Sequence, residues 1–237
     1  MPDKNAVTEM FDNISPFYDH LNHMLSFQID RWWRHRTARH IARQHPRHLL
    51  DLATGTGDLA ILLAKKIPNA NIIALDRSQN MLHIAKEKAN RKKHCLSISF
   101  VAGDAELLPF DDNTFDAVSI AFGVRNYQNQ EQGLGEALRV LKPGGHIAIL
   151  EFSIPEHPLI RPFYGLYFKH LLPAIGRFVS KNRNAYSYLP QSVYTFPKPY
   201  TFINIMRHIG FEKVMRQRLS FGIASLFEGT KPHCRKD

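Results

Sequence analysis

Cysteine is nearly missing from this chain: Cys95 and Cys234 are the only two in 237 residues. Two thiols so far apart make neither a disulfide framework nor a zinc site, which fits a reducing compartment. Thirteen histidines are present, but none forms an HExxH pattern, and His20 and His23 stand three apart with no third ligand in view. No metal is expected. Also missing is an uncharged apolar run of the roughly eighteen residues that span a bilayer, and MPDKNAVTEMF has no apolar signal region. These absences read as a cytoplasmic chain. Neither an internal repeat nor a low-complexity tract divides it, so one domain is expected over residues 1–237.

Acid is short as well: 21 Asp and Glu face 31 Lys and Arg, a net charge of +10. Such a balance attracts RNA, DNA or an acidic membrane face. Arg31, Arg34, Arg36, Arg39, Arg43 and Arg47, with Lys86, Lys88, Arg91, Lys92 and Lys93, fall on expected outer helix faces. No RNP-like motif, zinc knuckle or basic heptad accompanies them. We therefore expect no nucleic-acid partner, and peripheral contact with an acidic membrane face on its inner side.

What is present centres on eight residues, Asp51 to Asp58, DLATGTGD. Leu49, Leu50, Leu52 and Ala53 form a short apolar run that suits a parallel strand buried on both faces. Leu59, Leu62, Leu63 and Lys66 then follow at helical spacing, up to Pro68 and Asn69. Gly55, Thr56 and Gly57 thus occupy a strand-to-helix turn, where glycine lets a ligand approach the backbone. The first N–H groups of the helix favour a carboxylate or phosphate above them. GTGDLA also satisfies a dinucleotide pattern, so a nicotinamide cofactor stays open on the loop alone.

The neighbours narrow the choice. A second strand, Asn71 to Leu75, ends at Asp76, an acid placed to accept from ribose hydroxyls in either cofactor class. A third, Ile98 to Ala102, runs into Gly103, Asp104, Ala105 and Glu106, a strand end suited to an adenine. Asp51 sits comfortably beside an ammonium and a sulfonium, and badly beside a pyrophosphate.

These acidic strand ends, followed by LLPF, TFDAV and LKPGG, resemble the class I S-adenosylmethionine-dependent methyltransferases between Leu49 and Phe152. The resemblance implies that the glycine loop carries the methionine part of the cofactor, Asp76 its ribose, and Asp104 and Ala105 its adenine. Over almost the whole chain, MFDNISPFYDHLNHMLSF, DLATGTGDLA, AELLPFDDNTFDAVSIAFGVRN, RVLKPGG and LEFSIP resemble the ubiquinone and menaquinone biosynthesis C-methyltransferase family. That implies S-adenosylmethionine as cofactor and methylation at a ring carbon of a polyprenyl hydroquinone, with demethylmenaquinol preferred over a benzoquinol. An RNA methyltransferase would share the cofactor half. One departure is Ala121, where several relatives carry serine.

Two regions are expected to carry the substrate. Val7, Met10, Phe11 and Ile14 form one helical face that Ser15 and Pro16 interrupt before a second stripe at Phe17, Leu21 and Leu25. This N-terminal part (1–46) reads as a helical lid that offers Tyr18 and Asp19 to the site. The second region is an insertion (153–197) after the fifth strand, HIAILEF, whose stretch 159–179 mixes aromatics and aliphatics with Arg161, Lys169 and Arg177. It suits an interfacial helix pair and a core helix equally.

A quinol carbon is a weak nucleophile until the neighbouring hydroxyl, with a pKa near ~10, loses its proton. Arg125 is the expected cation beside that oxygen, with Asn126 orienting it; Glu151, Asp19 and Tyr18 are the expected proton acceptors. The expected architecture is α/β: a doubly wound, seven-stranded, mostly parallel Rossmann-like sheet. Residues 47–152 form its cofactor half. Residues 198–237 supply a helix over Tyr200–His208 and a closing hairpin, Glu212–Leu219 with Ile223–Thr230.

Overall fold

Leu49, Leu50 and Leu52 are all fully buried, as a strand covered on both faces requires. The structure, a computed structural model, describes residues 3–92, 97–166 and 183–233. β1 (His48–Leu52) lies near the middle of a seven-stranded sheet with β2 (Asn71–Asp76), β3 (Ile98–Ala102), β4 (Phe115–Ala121), β5 (Leu141–Phe152), β6 (Glu212–Leu219) and β7 (Ala224–Thr230). The order is β3-β2-β1-β4-β5-β7-β6. The first five strands pair in parallel, and β7 enters antiparallel between β5 and β6. The chain leaves β1 toward β2 on one side, while β4 lies on the other. Their carboxyl ends therefore diverge into a crevice.

Alternation along the strands divides the core in two. Leu50, Leu52, Val118 and Ile120 pack with α5 (Gln130–Val140) and, through Phe202 and Met206, with α8 (Pro199–Ile209). Leu49, Ala117 and Leu150 face the other way, onto Leu59 and Leu63 of α3 (Asp58–Lys66) and Trp33 and Ile41 of α2 (Ile29–Ala42). Helix α4 (Gln79–Asn90) starts at Ser78, whose hydroxyl accepts from the Met81 amide as an N-cap. The sequence-based hairpin matches to within one residue at Ile223. The tight connection passes through left-handed Ser220, Phe221 and Gly222, and Gly210 closes α8 at φ +117°.

Two expectations need correction. Pro16 does not interrupt the N-terminal helix: α1 runs unbroken from Lys4 to Leu25. Proline cannot donate to the Asp12 carbonyl four residues back. The Ser15 hydroxyl donates to that same carbonyl at 2.9 Å and replaces the missing bond. The fifth strand also starts earlier than HIAILEF, at Leu141. A register shift opposite Phe115–Ala117 absorbs the LKPGG segment. The insertion contributes α6 (Ile160–Leu166) and α7 (Arg183–Thr195), while Lys169 and Arg177 lie outside the described residues.

Candidate active site

The backbone turns sharply where β1 and β4 diverge. Ala53 (φ +51°) and Phe122 (φ +59°) are left-handed at the two strand exits, a conformation non-glycine residues adopt at a cost of about 1–3 kcal/mol each. They hold two loops face to face. A Cβ on Gly123 would lie 2.5 Å from the Ala53 Cβ, so glycine permits the approach. Beneath them, Gly57 (φ +78°) precedes α3 with no side chain capping its first N–H groups.

Above these loops lies a cavity of ≈ 980 Å³, counted out to its open mouth. Its walls include Asp51, Gly55, Thr56, Asp76, Asp104 and Ala105, so the structure brings together all but one of the expected cofactor residues. Gly57 precedes α3 at φ +78°, and an added Cβ would lie 3.0 Å from the Ala85 Cβ. Lys4, Val7, Phe11 and Tyr18 of α1 form part of the wall, so the N-terminal helix covers the cavity.

Asp51 is 1% exposed. Its register opposite Ser119 on β4 lets that hydroxyl donate to Oδ1 at 2.5 Å, while Thr54 donates to Oδ2 at 2.6 Å. Burial outweighs both bonds and raises its pKa to about 6. Asp76 accepts from the Gly55 amide at 2.7 Å and the Ser78 amide at 2.9 Å. Burial still moves its pKa upward against those bonds. Asp104 behaves oppositely: burial opposes ionisation, but the Glu106 amide, Lys4 at 3.1 Å and Arg77 hold its pKa below the ordinary value.

The lid is fastened at three places. Lys4 bridges Asp104 and Glu106, at 3.1 and 2.9 Å. Asp12 accepts from Ser78 at 2.5 Å. Asp19 accepts from Thr56 and from Lys88, which also holds Asp58 at 2.5 Å. Lys88 is thus a buried-side clasp, not a solvated surface lysine. Asp19 does not line the cavity. Tyr18 does, and burial raises its pKa against the nearby charges of Arg125 and Arg34.

Arg125 and Asn126 follow β4 in a short 3-10 turn. Asn126 reaches the cavity and accepts from the Tyr188 hydroxyl at 2.9 Å. Arg125 sits behind that wall, with Nη1 on Glu151 Oε1 at 2.7 Å and on the Phe122 carbonyl at 2.5 Å. Glu151 has no exposed surface, so it is the counter-ion of Arg125 rather than a group open to the cavity. Ala121 lines the cavity through its methyl group.

Sequence reasoning missed two wall residues. Arg34 was expected on an outer face but is 8% exposed, paired with Asp30 and set over the Phe122 ring at 5.1 Å. The i, i+4 spacing of Asp30 and Arg34 was the available signal. Tyr127 is buried in the wall with no hydrogen-bond partner for its hydroxyl among the described residues. Burial and the acids around it push its pKa well above the ordinary value.

Residues 2–231 match the model of the ubiE/COQ5 methyltransferase family. The chain belongs to that family. A Deinococcus radiodurans relative, named demethylmenaquinone methyltransferase, is 47% identical over 95% of this chain and 92% of its own length. A Bacteroides fragilis relative of the same name is 41% identical over the same shares. Among solved structures, the [4+2]-cyclase SpnF is similar in fold, with a TM-score of 0.70, 19% identity and 98% of each chain covered. Membership makes the chain an S-adenosylmethionine-dependent methyltransferase and removes the nicotinamide reading of GTGDLA. Its cavity fits that methyl donor: uncapped N–H groups for a carboxylate, acids at two strand ends, and an orphaned hydroxyl on Tyr127 awaiting a polar partner.

Proposed function

We propose that this enzyme methylates a ring carbon of a polyprenyl hydroquinone, with demethylmenaquinol as its substrate. The observation that carries the reading is the shared name of two relatives at 41% and 47% identity over nearly the whole chain. Other relatives, at 41% and 42% identity, are named for ubiquinone as well as menaquinone biosynthesis, which keeps a benzoquinol as the second reading.

S-adenosylmethionine, when bound, supplies a methyl group on a cationic sulfur. Asp51 and the loop Gly55–Gly57 would hold its amino-acid end, Asp76 its ribose, and Asp104 with Ala105 its adenine. α1 covers the cavity and would exclude water from a bound donor, and the fixed walls would orient the quinol ring toward it. Asn126, fixed by Tyr188, orients the quinol oxygen. Arg125 lies close enough to oppose the burial that raises the pKa of Tyr18 and Tyr188, and its positive field favours a phenolate there too.

The roles of the expected proton acceptors change. Asp19 is held by Thr56 and Lys88, and Glu151 by Arg125. Tyr18 keeps its proton at neutral pH because burial raises its pKa, so it donates to the phenolate. These residues stabilise the anion. The hydroxyl proton, and then the proton displaced from the ring carbon, pass to solvent water at the open mouth of the cavity. A polyprenyl tail partitions into a bilayer, so the reading also implies peripheral contact with an acidic membrane face, which the +10 charge favours.

The test is methyl incorporation by purified protein into reduced, short-tailed demethylmenaquinol and into the benzoquinol counterpart. Methylation of the naphthoquinol is the expected result. Transfer only to the benzoquinol moves the assignment to the second reading, and transfer to neither ends both. Tight, steeply salt-dependent RNA binding with methylation of RNA would replace them with an RNA methyltransferase.

A further inference from the structure

One face of the molecule keeps large apolar side chains in water. Phe27 is 69% exposed, Ile29 40% and Trp32 51%. The turn that presents them, between α1 and α2, places two consecutive non-glycine residues in the left-handed region, Phe27 at φ +51° and Gln28 at φ +64°. Such a turn persists only where its surroundings hold it. Here the buried Asp30 carboxylate does so, accepting from Ser26 at 2.5 Å and bonding His23 at 2.8 Å and Arg34.

The same face continues as charge. Ile29, Trp32, Arg36, Arg39 and Arg43 recur at i, i+3, i+7, i+10 and i+14, one stripe along α2 opposite the buried Trp33, Thr37 and Ile41. Arg36, Arg39 and Arg43 border a groove against Met215 and Gln217 of the edge strand β6. Arg36 donates to Gln217 at 3.4 Å. The groove's acid, Glu228, lies 3.2 Å from His40 Nδ1, and no carboxylate comes within ion-pair distance of the three arginines among the described residues. Apolar rings beside a row of unneutralised arginines match an interface where acyl chains meet anionic headgroups.

We propose that this face, from the Phe27 turn along α2 to Met215, docks the enzyme on an anionic lipid bilayer. The inference rests on the proposed polyprenyl substrate and says where the protein meets the phase that holds it. α1 covers the cavity with Lys4 to Tyr18 and ends at the docking turn, so one helix joins the membrane contact to the active site. Tyr18 lies seven positions before the end of α1 at Leu25, about 10 Å at helical rise.

Vesicle co-sedimentation of the full chain tests it, using phosphatidylcholine alone and phosphatidylcholine mixed with phosphatidylglycerol. Binding is expected to require phosphatidylglycerol, to weaken with salt, and to fall about fivefold for each of R36Q, R39Q and R43Q. Brominated lipid should quench Trp32 in the unaltered protein, since Trp33 is only 2% exposed. Trp32→Ser should lose the quenching and most of the binding, and equal thermal melts check that every variant folds. Turnover of long-tailed quinol in vesicles should fall with binding, while turnover of a soluble short-tailed quinol stays unchanged. If the unaltered protein binds vesicles through this face yet methylates no quinol, the functional reading fails and the docking surface stands. Unquenched Trp32, or variants that still bind anionic vesicles, would overturn the proposal. So would a stable dimer or an RNA complex lost in the same variants.

Discussion

Arg125 and Glu151 form an ion pair, Nη1 to Oε1 at 2.7 Å, in which the carboxylate has no exposed surface and the arginine 8%. They come from different segments, the turn after β4 and the end of β5, so the pair ties two neighbouring strand exits together. The Arg125 ring contact to Phe152, 5.4 Å from its centroid, and its bond to the Phe122 carbonyl extend the tie to both sides.

Removing one partner should therefore harm more than the chemistry. Arg125→Ala leaves Glu151 buried and without its counter-ion, a loss of about 3–5 kcal/mol for buried pairs. For a chain of this size, that corresponds to a melting temperature lower by on the order of 10 °C. Replacing both with methionine should recover much of the stability, because desolvation of the two charges disappears with them. Turnover should stay low in both proteins if the arginine's field acts on the quinol oxygen. Calorimetry and initial rates on the two variants separate the roles; full turnover in the double variant would make Arg125 purely structural.

Asp51 links pH to stability and, on the proposed reading, should link it to cofactor affinity. Its pKa is raised by burial from 3.8 to about 6, so the folded protein favours the protonated acid. The stabilisation is complete below pH 3.8 and is lost as pH rises through 6, an effect of about 3 kcal/mol. Asp51→Asn should remove it, making the cofactor-free protein more stable than the parent at pH 7 and equal to it near pH 4. A bound ammonium requires the ionised form, so cofactor affinity in the parent should fall below pH 6 and binding near pH 6 should release a proton. Titration calorimetry in buffers of different ionisation enthalpy measures that proton. A pH-independent affinity would mean that Asp51 meets no cation.

The strand ends that line the cavity were legible because their signals are local. DLATGTGD couples an apolar run to two glycines, and each following acid stands at the end of a readable strand. Long-range partners were not legible: nothing near Arg125 in sequence points to Glu151, 26 residues on, and nothing near Lys88 points to Asp19. Pro16 misled for a related reason. Proline's breaking effect is a rule about the backbone, and here the adjacent Ser15 side chain repairs it. The arginines of α2 looked alike as a composition, yet periodicity around Trp33 turns Arg34 inward to Asp30 and leaves Arg36, Arg39 and Arg43 outside.

The lid clasp should respond to salt and to substitution at Lys88. The lysine spans Asp19 on α1 and Asp58 on α3 at 2.5 Å each, with all three side chains 22–29% exposed. Partial exposure limits each bridge to about 1 kcal/mol, roughly fivefold in a binding constant. Lys88→Ala should weaken cofactor binding by about that factor, with a smaller dependence on ionic strength than the parent shows. Hydrogen exchange should quicken across residues 4–25 and not in β1 or β4. Unchanged exchange in α1 would mean that the other two fastenings hold the lid without it.

The close approach of Ala53 and Gly123 makes a prediction in two steps. Gly123→Ala puts a methyl group 2.5 Å from the Ala53 Cβ, which neither turn can yield without moving a strand exit. The cost should be on the order of 1–3 kcal/mol, as for overpacked sites, with weaker cofactor binding because both turns border the cavity. Ala53→Gly alone should be neutral or stabilising in the folded state, since φ +51° suits glycine, though glycine also loosens the unfolded chain. Combined, the two changes exchange the positions of methyl and hydrogen across the contact. The double variant should then be more stable than Gly123→Ala, by at least 1 kcal/mol of coupling in a double-mutant cycle measured by urea unfolding. Additive effects would show that the two loops move independently and that their touching does not shape the cavity.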